Sequence, residues 1–145
     1  MRSIQVTRPT DAPRAAVWAV LADFPNISNW NGGVKASHDT GNGVTGLGAQ
    51  RHCDLAPIGG LDETITGWEP NEKLVVSIDS AAKLPISNGL ATFTLHDGET
   101  TVDYDYQPKG LLGRVMAPIL DRQLSKGFSG FLADLEKAAQ QQPTA

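Results

Sequence analysis

The chain has 145 residues, 40% of them hydrophobic and 19% charged, with a formal net charge of -4. This length suits one domain and the composition is that of a folded chain, not a disordered one. The acidic balance argues against a nucleic-acid or anionic-membrane protein built on a general basic field, though a local basic patch stays open. The one cysteine, Cys53, excludes an internal disulfide framework and a Cys-rich zinc site.

Ile4 and Val6 alternate with polar neighbours and predict a short strand ending before Pro9. Thr10 or Asp11 can cap a following helix, with Pro13 in its first turn. Val17, Val20, Leu21 and Phe24 then recur at helical spacing until Pro25 stops them. Asn26 to Trp30 suits one more short helical turn. From Val34 the period changes to two, and six strands are expected: Val34 to Asp39, Ala49 to Leu55, Leu61 to Trp68, Lys73 to Asp79, Leu90 to His96 and Thr101 to Gln107. Turn residues separate them at Gly41-Asn42-Gly43, Gly59-Gly60, Pro70-Asn71, Asn88-Gly89 and Asp97-Gly98. Such short connections imply antiparallel pairing.

Between Leu111 and Ala139 one apolar stripe (Leu112, Val115, Met116, Ile119, Phe128, Phe131, Leu135) predicts a long helix, with a kink or break at Pro118. Gly127 and Gly130 are costly there unless the helix lies close against something or frays. Residues 140–145 form a polar tail. No repeat or linker interrupts 1–145, so a single domain is expected. No apolar run approaches the roughly 18 residues of a membrane span, and Met1 to Thr10 lacks the apolar stretch of a secretory signal. A cytoplasmic chain without stable membrane insertion is the expectation.

The order strand, helix, six strands, long helix gives an α+β chain. A curved antiparallel sheet of about seven strands must bury one face, and it wraps around the helix available to it. Where the two do not close completely, a ligand-sized cavity remains.

Period two places Arg51, Cys53 and Leu55 on one strand face, and the apolar pair points that face inward. An inward Arg keeps its charge and needs an anion or acceptors. Glu63 shares a face with Leu61 and Ile65, one strand on, so Arg51 and Glu63 can pair across the sheet. Val76 and Ile78, Phe93, and Tyr104 with Tyr106 read as inward by the same rule. Trp30 sits between Asn29 and Asn31 and either packs or gates a pocket mouth. His38, His52 and His96 lack metal-ligand spacing, so no metal and no cofactor is expected, and no general base is evident. Gly41-Asn42-Gly43-Val44-Thr45-Gly46 matches a dinucleotide-binding pattern, but a strand follows where that motif needs a helix.

Val17-Trp18-x-x-Leu21-x-Asp23-Phe24, Trp30, Gly46-x-Gly48-x-x-Arg51, Glu63-x-Ile65 and the long C-terminal helix together resemble the START-like (SRPBCC) superfamily, most closely its polyketide cyclase/dehydrase-like branch. The resemblance implies a helix-grip fold with a deep, mostly apolar cavity. Members bind lipids, sterols, plant hormones, flavonoids or polyketide intermediates, and a minority catalyse cyclisation or dehydration. It also implies that Arg51 contacts a ligand oxygen, or polarises a carbonyl in a cyclase, and that Glu63 is a pocket carboxylate. The competing reading of both is a structural ion pair.

The resulting candidate ligand-binding set is Trp30, Arg51, Cys53, Leu55, Glu63, Ile65, Val76, Ile78, Phe93, Tyr104, Met116 and Phe128, with Arg51 the candidate catalytic residue. A binding protein for a small hydrophobic molecule is the leading expectation, as monomer or homodimer and without nucleic acid. A polyketide cyclase or dehydratase, and an interaction module with a vestigial pocket, are the alternatives.

Overall fold

Alternating apolar residues give each strand one face to bury, and seven strands share that burden: β1 (Arg2–Pro9), β2 (Ala36–Asp39), β3 (Gln50–Leu55), β4 (Gly59–Glu69), β5 (Lys73–Asp79), β6 (Ile86–His96) and β7 (Glu99–Pro108). The computed structural model describes residues 1–55, 59–79 and 84–142. The strands form one antiparallel sheet in the order β1-β7-β6-β5-β4-β3-β2. Helix α1 (Arg14–Ala22) and a 3₁₀ helix (Phe24–Asn29) fill the crossover from β1 to β2, the two edge strands. Helix α2 (Gly110–Gln140) lies across the inner face. This is the α+β arrangement that the element order predicts and the helix-grip fold that the family resemblance implies.

Several local expectations are corrected. Neither Thr10 nor Asp11 caps α1; Pro13 occupies the N-cap, and the Thr10 hydroxyl instead donates to Glu136 of α2. Pro118 does not split α2, which is helical from Gly110 to Gln140. Asn88-Gly89 is not a turn but lies within β6, at a register irregularity. The missing side chain of Gly89 makes room for its neighbour on β7: a Cβ there would sit 2.1 Å from the Tyr104 hydroxyl. The Gly59-Gly60 pair opens β4, and the residues before it, 56–58, lie outside the described ones. By contrast Asp97-Gly98 does turn β6 into β7, with Gly98 at φ 83°.

Helix α2 is tied down along one edge of the sheet. Asp121 accepts from Arg2 Nε on β1 at 3.1 Å and from the Tyr106 hydroxyl on β7. Near its far end Glu136 accepts from the Asp11 amide at 3.1 Å. Over the rest of the sheet, aromatic rings stand between the two layers. Phe93 stacks on Phe131 with centroids 5.1 Å apart, and Tyr104 meets Phe128 at 5.1 Å. Rings of this size act as spacers, so the helix is clamped at β1 and held off β3 to β6.

The Arg2 guanidinium, and after it the Tyr106 hydroxyl, hold the Asp121 carboxyl below its ordinary range against an opposing effect of burial. A carboxyl depressed in the folded state lends stability above its unfolded pKa and loses it as pH falls through the folded value. Asp121→Asn should therefore lower the melting temperature by a few degrees at pH 7, with a gap that narrows in acid. Melting curves taken from neutral to acid pH check this, and a gap independent of pH would contradict it.

Candidate functional site: a closed-ended apolar cavity

Between α2 and the inner face of the sheet lies a cavity of about 380 Å³. Its sheet wall is built from alternate residues, as period two requires: Arg51, Cys53 and Leu55 on β3, Leu61 and Glu63 on β4, Val76 and Ile78 on β5. Ile86, Ala91 and Phe93 on β6 and Tyr104 on β7 complete it. Helix α2 supplies Leu120, Gln123, Leu124, Gly127, Phe128 and Phe131, which recur at three- and four-residue spacing. Ile27 and Val34 form one end wall, and Asn31 and Gly33 border the opening.

Nine of the twelve residues expected from sequence line this space. The other three do not, each for a packing reason. Ile65 lies beside the β4 bulge and is 1% exposed within the main core. Trp30 packs edge-on against Phe131 at 5.1 Å, behind the end wall, and its buried indole N–H has no partner among the described residues. Met116 lies one turn of α2 short of the first helical wall residue, Leu120, and packs against the core. The helical wall residues missed in the sequence could have been found by stepping back from Phe128 and Phe131 in threes and fours. Leu84, Ile86 and Val34 carry no such signal.

The polar end of the cavity is organised by Arg51, whose register partner on β4 is Glu63. Arg51 Nη2 donates to Glu63 Oε2 at 3.0 Å and to Oε1 at 3.2 Å, and Nη1 donates to the Phe24 carbonyl at 2.8 Å. The guanidinium carbon lies 3.8 Å from the centroid of the Phe24 ring. Phe24, at the start of the 3₁₀ helix, thus supplies both an acceptor and a π face. Among the described residues Arg51 Nε is buried with no hydrogen-bond partner. The Cys53 thiol donates weakly to Glu63 Oε1 at 3.7 Å.

These surroundings leave the cavity poor in proton-transfer chemistry. Burial, and next the Glu63 charge, push the Cys53 thiol up to about 12, so it is not a thiolate nucleophile at neutral pH. Burial first and then the Glu63 charge push Tyr104 up to about 12 as well. Tyr104 therefore stays a protonated hydroxyl facing the cavity at neutral pH, not a phenolate base. The histidines lie elsewhere. His52 is held on the outer face between Asp62 at 2.7 Å and Asp54 at 3.0 Å, with His38 beside it. Among the described residues no cluster of His, Cys, Asp or Glu could hold a metal ion, and no helix is long and apolar enough to cross a membrane.

The cavity opens beside α2. A shallower recess shares Asn31, Gly33, Gln123, Gly127 and Phe131 with it, and adds Lys126, Gly130 and Asp134. The Gly32 amide donates to Asp134 at 2.9 Å, fastening the loop across the gap. A Cβ at Gly127 or Gly130 would meet nothing within 4 Å. The two glycines therefore do not serve close packing or fraying, as expected from sequence; they leave a notch in the helix at the mouth.

A family model described as polyketide cyclase / dehydrase and lipid transport matches residues 1–140. No curated protein matches the chain. Among solved structures, a START superfamily protein from Mycobacterium smegmatis is similar at 16% identity and TM-score 0.73, over 96% of this chain and 97% of that one. Norcoclaurine synthase from Thalictrum flavum, solved with dopamine and hydroxybenzaldehyde, is similar at 12% and 0.74, over 99% and 89%. A protein from Thermus thermophilus is similar at 12% and 0.75, over 96% and 97%. At such identities the likeness is one of fold alone.

The chain has two tyrosines, Tyr104 and Tyr106, and burial pushes both up to about 12. A phenol raised in the folded state keeps its stabilising effect below the unfolded pKa and loses it as pH rises through the folded value. An ultraviolet titration should show no phenolate near pH 10, where a free tyrosine is half ionised, and a rise only near pH 12 or on alkaline unfolding. A tyrosine titrating near 10 in the folded protein would contradict this environment.

Proposed function

Because the chain belongs to the polyketide cyclase/dehydrase and lipid transport family, we propose that it binds one small, mostly apolar molecule whose single oxygen-bearing end faces Arg51, Glu63 and Tyr104. The observation that carries this reading is the distribution of polarity. A mostly apolar cavity has its charged groups, Arg51 and Glu63, gathered at one place. Its volume, about 380 Å³, is at the lower end of the roughly 300–1,000 Å³ usual for small-molecule sites. A compact lipid-like or polyketide-like ligand fits that space better than a two-chain phospholipid.

Binding without turnover is favoured over cyclase or dehydratase chemistry. Arg51 already spends its charge on Glu63, and the thiol and phenol beside them stay protonated. To polarise a carbonyl, Arg51 would have to loosen the hydrogen bonds it makes here.

Removing one member of a buried ion pair strands the other, whereas replacing both with apolar groups of similar volume is often neutral. Glu63→Met should therefore cost about 3–5 kcal/mol in urea unfolding, and Arg51→Met/Glu63→Met should recover most of it. Calorimetric titration with a matched pair, 2-acetylnaphthalene and 2-ethylnaphthalene, then tests the polar anchor. Wild type should prefer the ketone, and the double variant should bind it about tenfold more weakly while keeping the hydrocarbon, in line with the loss of a charge-assisted hydrogen bond. Equal binding of the ketone by both proteins would overturn the assignment.

A further inference from the structure

The first half of α2 is apolar on the wrong side. Leu111, Leu112, Val115 and Ile119 are 78%, 63%, 70% and 52% exposed. They recur every three or four residues on the face opposite the one that carries Gly113, Ala117 and Leu120 into the core. Apolar spacing alone assigns Leu112, Val115 and Ile119 to the buried stripe, and the structure corrects this. A helix apolar on both sides is normally covered on both.

Charge indicates what covers it. From 109 to 126 the chain carries Lys109, Arg114, Arg122 and Lys126, four of its 12 Lys and Arg, in a protein of net charge -4. The only acid in that stretch, Asp121, is bound to Arg2 and Tyr106. Arg122 and Lys126 continue the exposed face, falling on the helical positions that follow Val115 and Ile119. Lys126 also lines the recess at the cavity mouth, and Gly127 lies about 12 Å along the axis from Ile119.

A second copy fits this face poorly. A two-fold contact centred on Val115 would set Arg122 of one copy beside Lys109 of the other. Four side chains of this size also present on the order of 500 Å², short of the ~800 Å² per partner of a standard interface. Apolar anchors flanked by cations instead match an anionic bilayer surface.

We propose that the Leu111–Lys126 half of α2 docks reversibly on anionic phospholipid membranes, with the cavity mouth held at the lipid surface. This deepens the ligand-binding reading by giving the site an apolar phase to exchange with. It uses a local patch and needs no membrane-spanning segment.

Flotation with phosphatidylcholine vesicles, with and without phosphatidylglycerol, tests it on the full chain. Wild type should float with the phosphatidylglycerol vesicles, and high salt should weaken the association. Val115→Glu/Ile119→Glu and, separately, Arg122→Glu/Lys126→Glu should each reduce it about tenfold or more. All four positions lie on the outer face of α2, so circular dichroism and melting temperature should stay unchanged. No flotation, or flotation indifferent to both variants, would overturn the proposal. So would a dimer in sedimentation velocity that Val115→Glu/Ile119→Glu dissociates, because the face would then belong to a second copy. Titrating wild type with 2-acetylnaphthalene keeps the two readings apart: ketone binding without flotation sinks the docking surface alone. Flotation without ketone binding sinks the polar-anchored pocket alone.

Discussion

Two opposite charges buried in an apolar wall constrain everything around them. Arg51 and Glu63 are each about 6% exposed, and neither can be left without the other at tolerable cost. Their pairing requires β3 and β4 to meet in one register, because a slip of a single residue would turn one strand's side chains to the outer face. It also requires the chain leaving α1 to bring the Phe24 carbonyl and ring onto the guanidinium. The pair therefore links two strands and the 3₁₀ helix in one arrangement, and it concentrates the cavity's polarity at one end.

The cavity itself follows from an asymmetry in how α2 is held. Arg2, Tyr106, Thr10 and Asp11 fasten the helix on the β1 side through Asp121 and Glu136. Toward β3 the described residues offer a lighter tie, the Gly32 amide on Asp134, with aromatic rings between the layers. A helix clamped along one edge and spaced along the other leaves an open wedge. Gly127 and Gly130 sit where that wedge reaches the surface, and their lack of side chains keeps it open.

Much of this was legible in the chain because strand patterning has a short memory. Period two alone places Arg51 with Cys53 and Leu55, and Glu63 with Leu61, on inward faces, and the cavity wall uses all five. The helix was harder. Apolar residues around the whole circumference of its first half hide which side is buried, so Leu112, Val115 and Ile119 read as core. Met116 fell to the same ambiguity. Glycines misled in both directions: Gly89 looks like a turn but yields space to Tyr104, while Gly127 and Gly130, which suggest close contact or fraying, lie inside a continuous helix and meet nothing. Each depends on a neighbour remote in sequence, which no local pattern records. Ile65 shows the same limit: it shares the inward face with Glu63, yet it is packed into the main core and does not line the cavity.

The cavity is large enough for a small ligand, and its opening lies over Gly127. Native mass spectrometry of the purified chain, after incubation with a lipid and metabolite extract, tests it most directly when wild type and Gly127→Trp are run together. A side chain at that notch starts in open space, so an indole there leaves the fold undisturbed, yet it stands across the mouth. Wild type should carry a one-to-one adduct that Gly127→Trp loses or takes up far more slowly. No adduct on wild type, or an adduct equally abundant on both proteins, would contradict it.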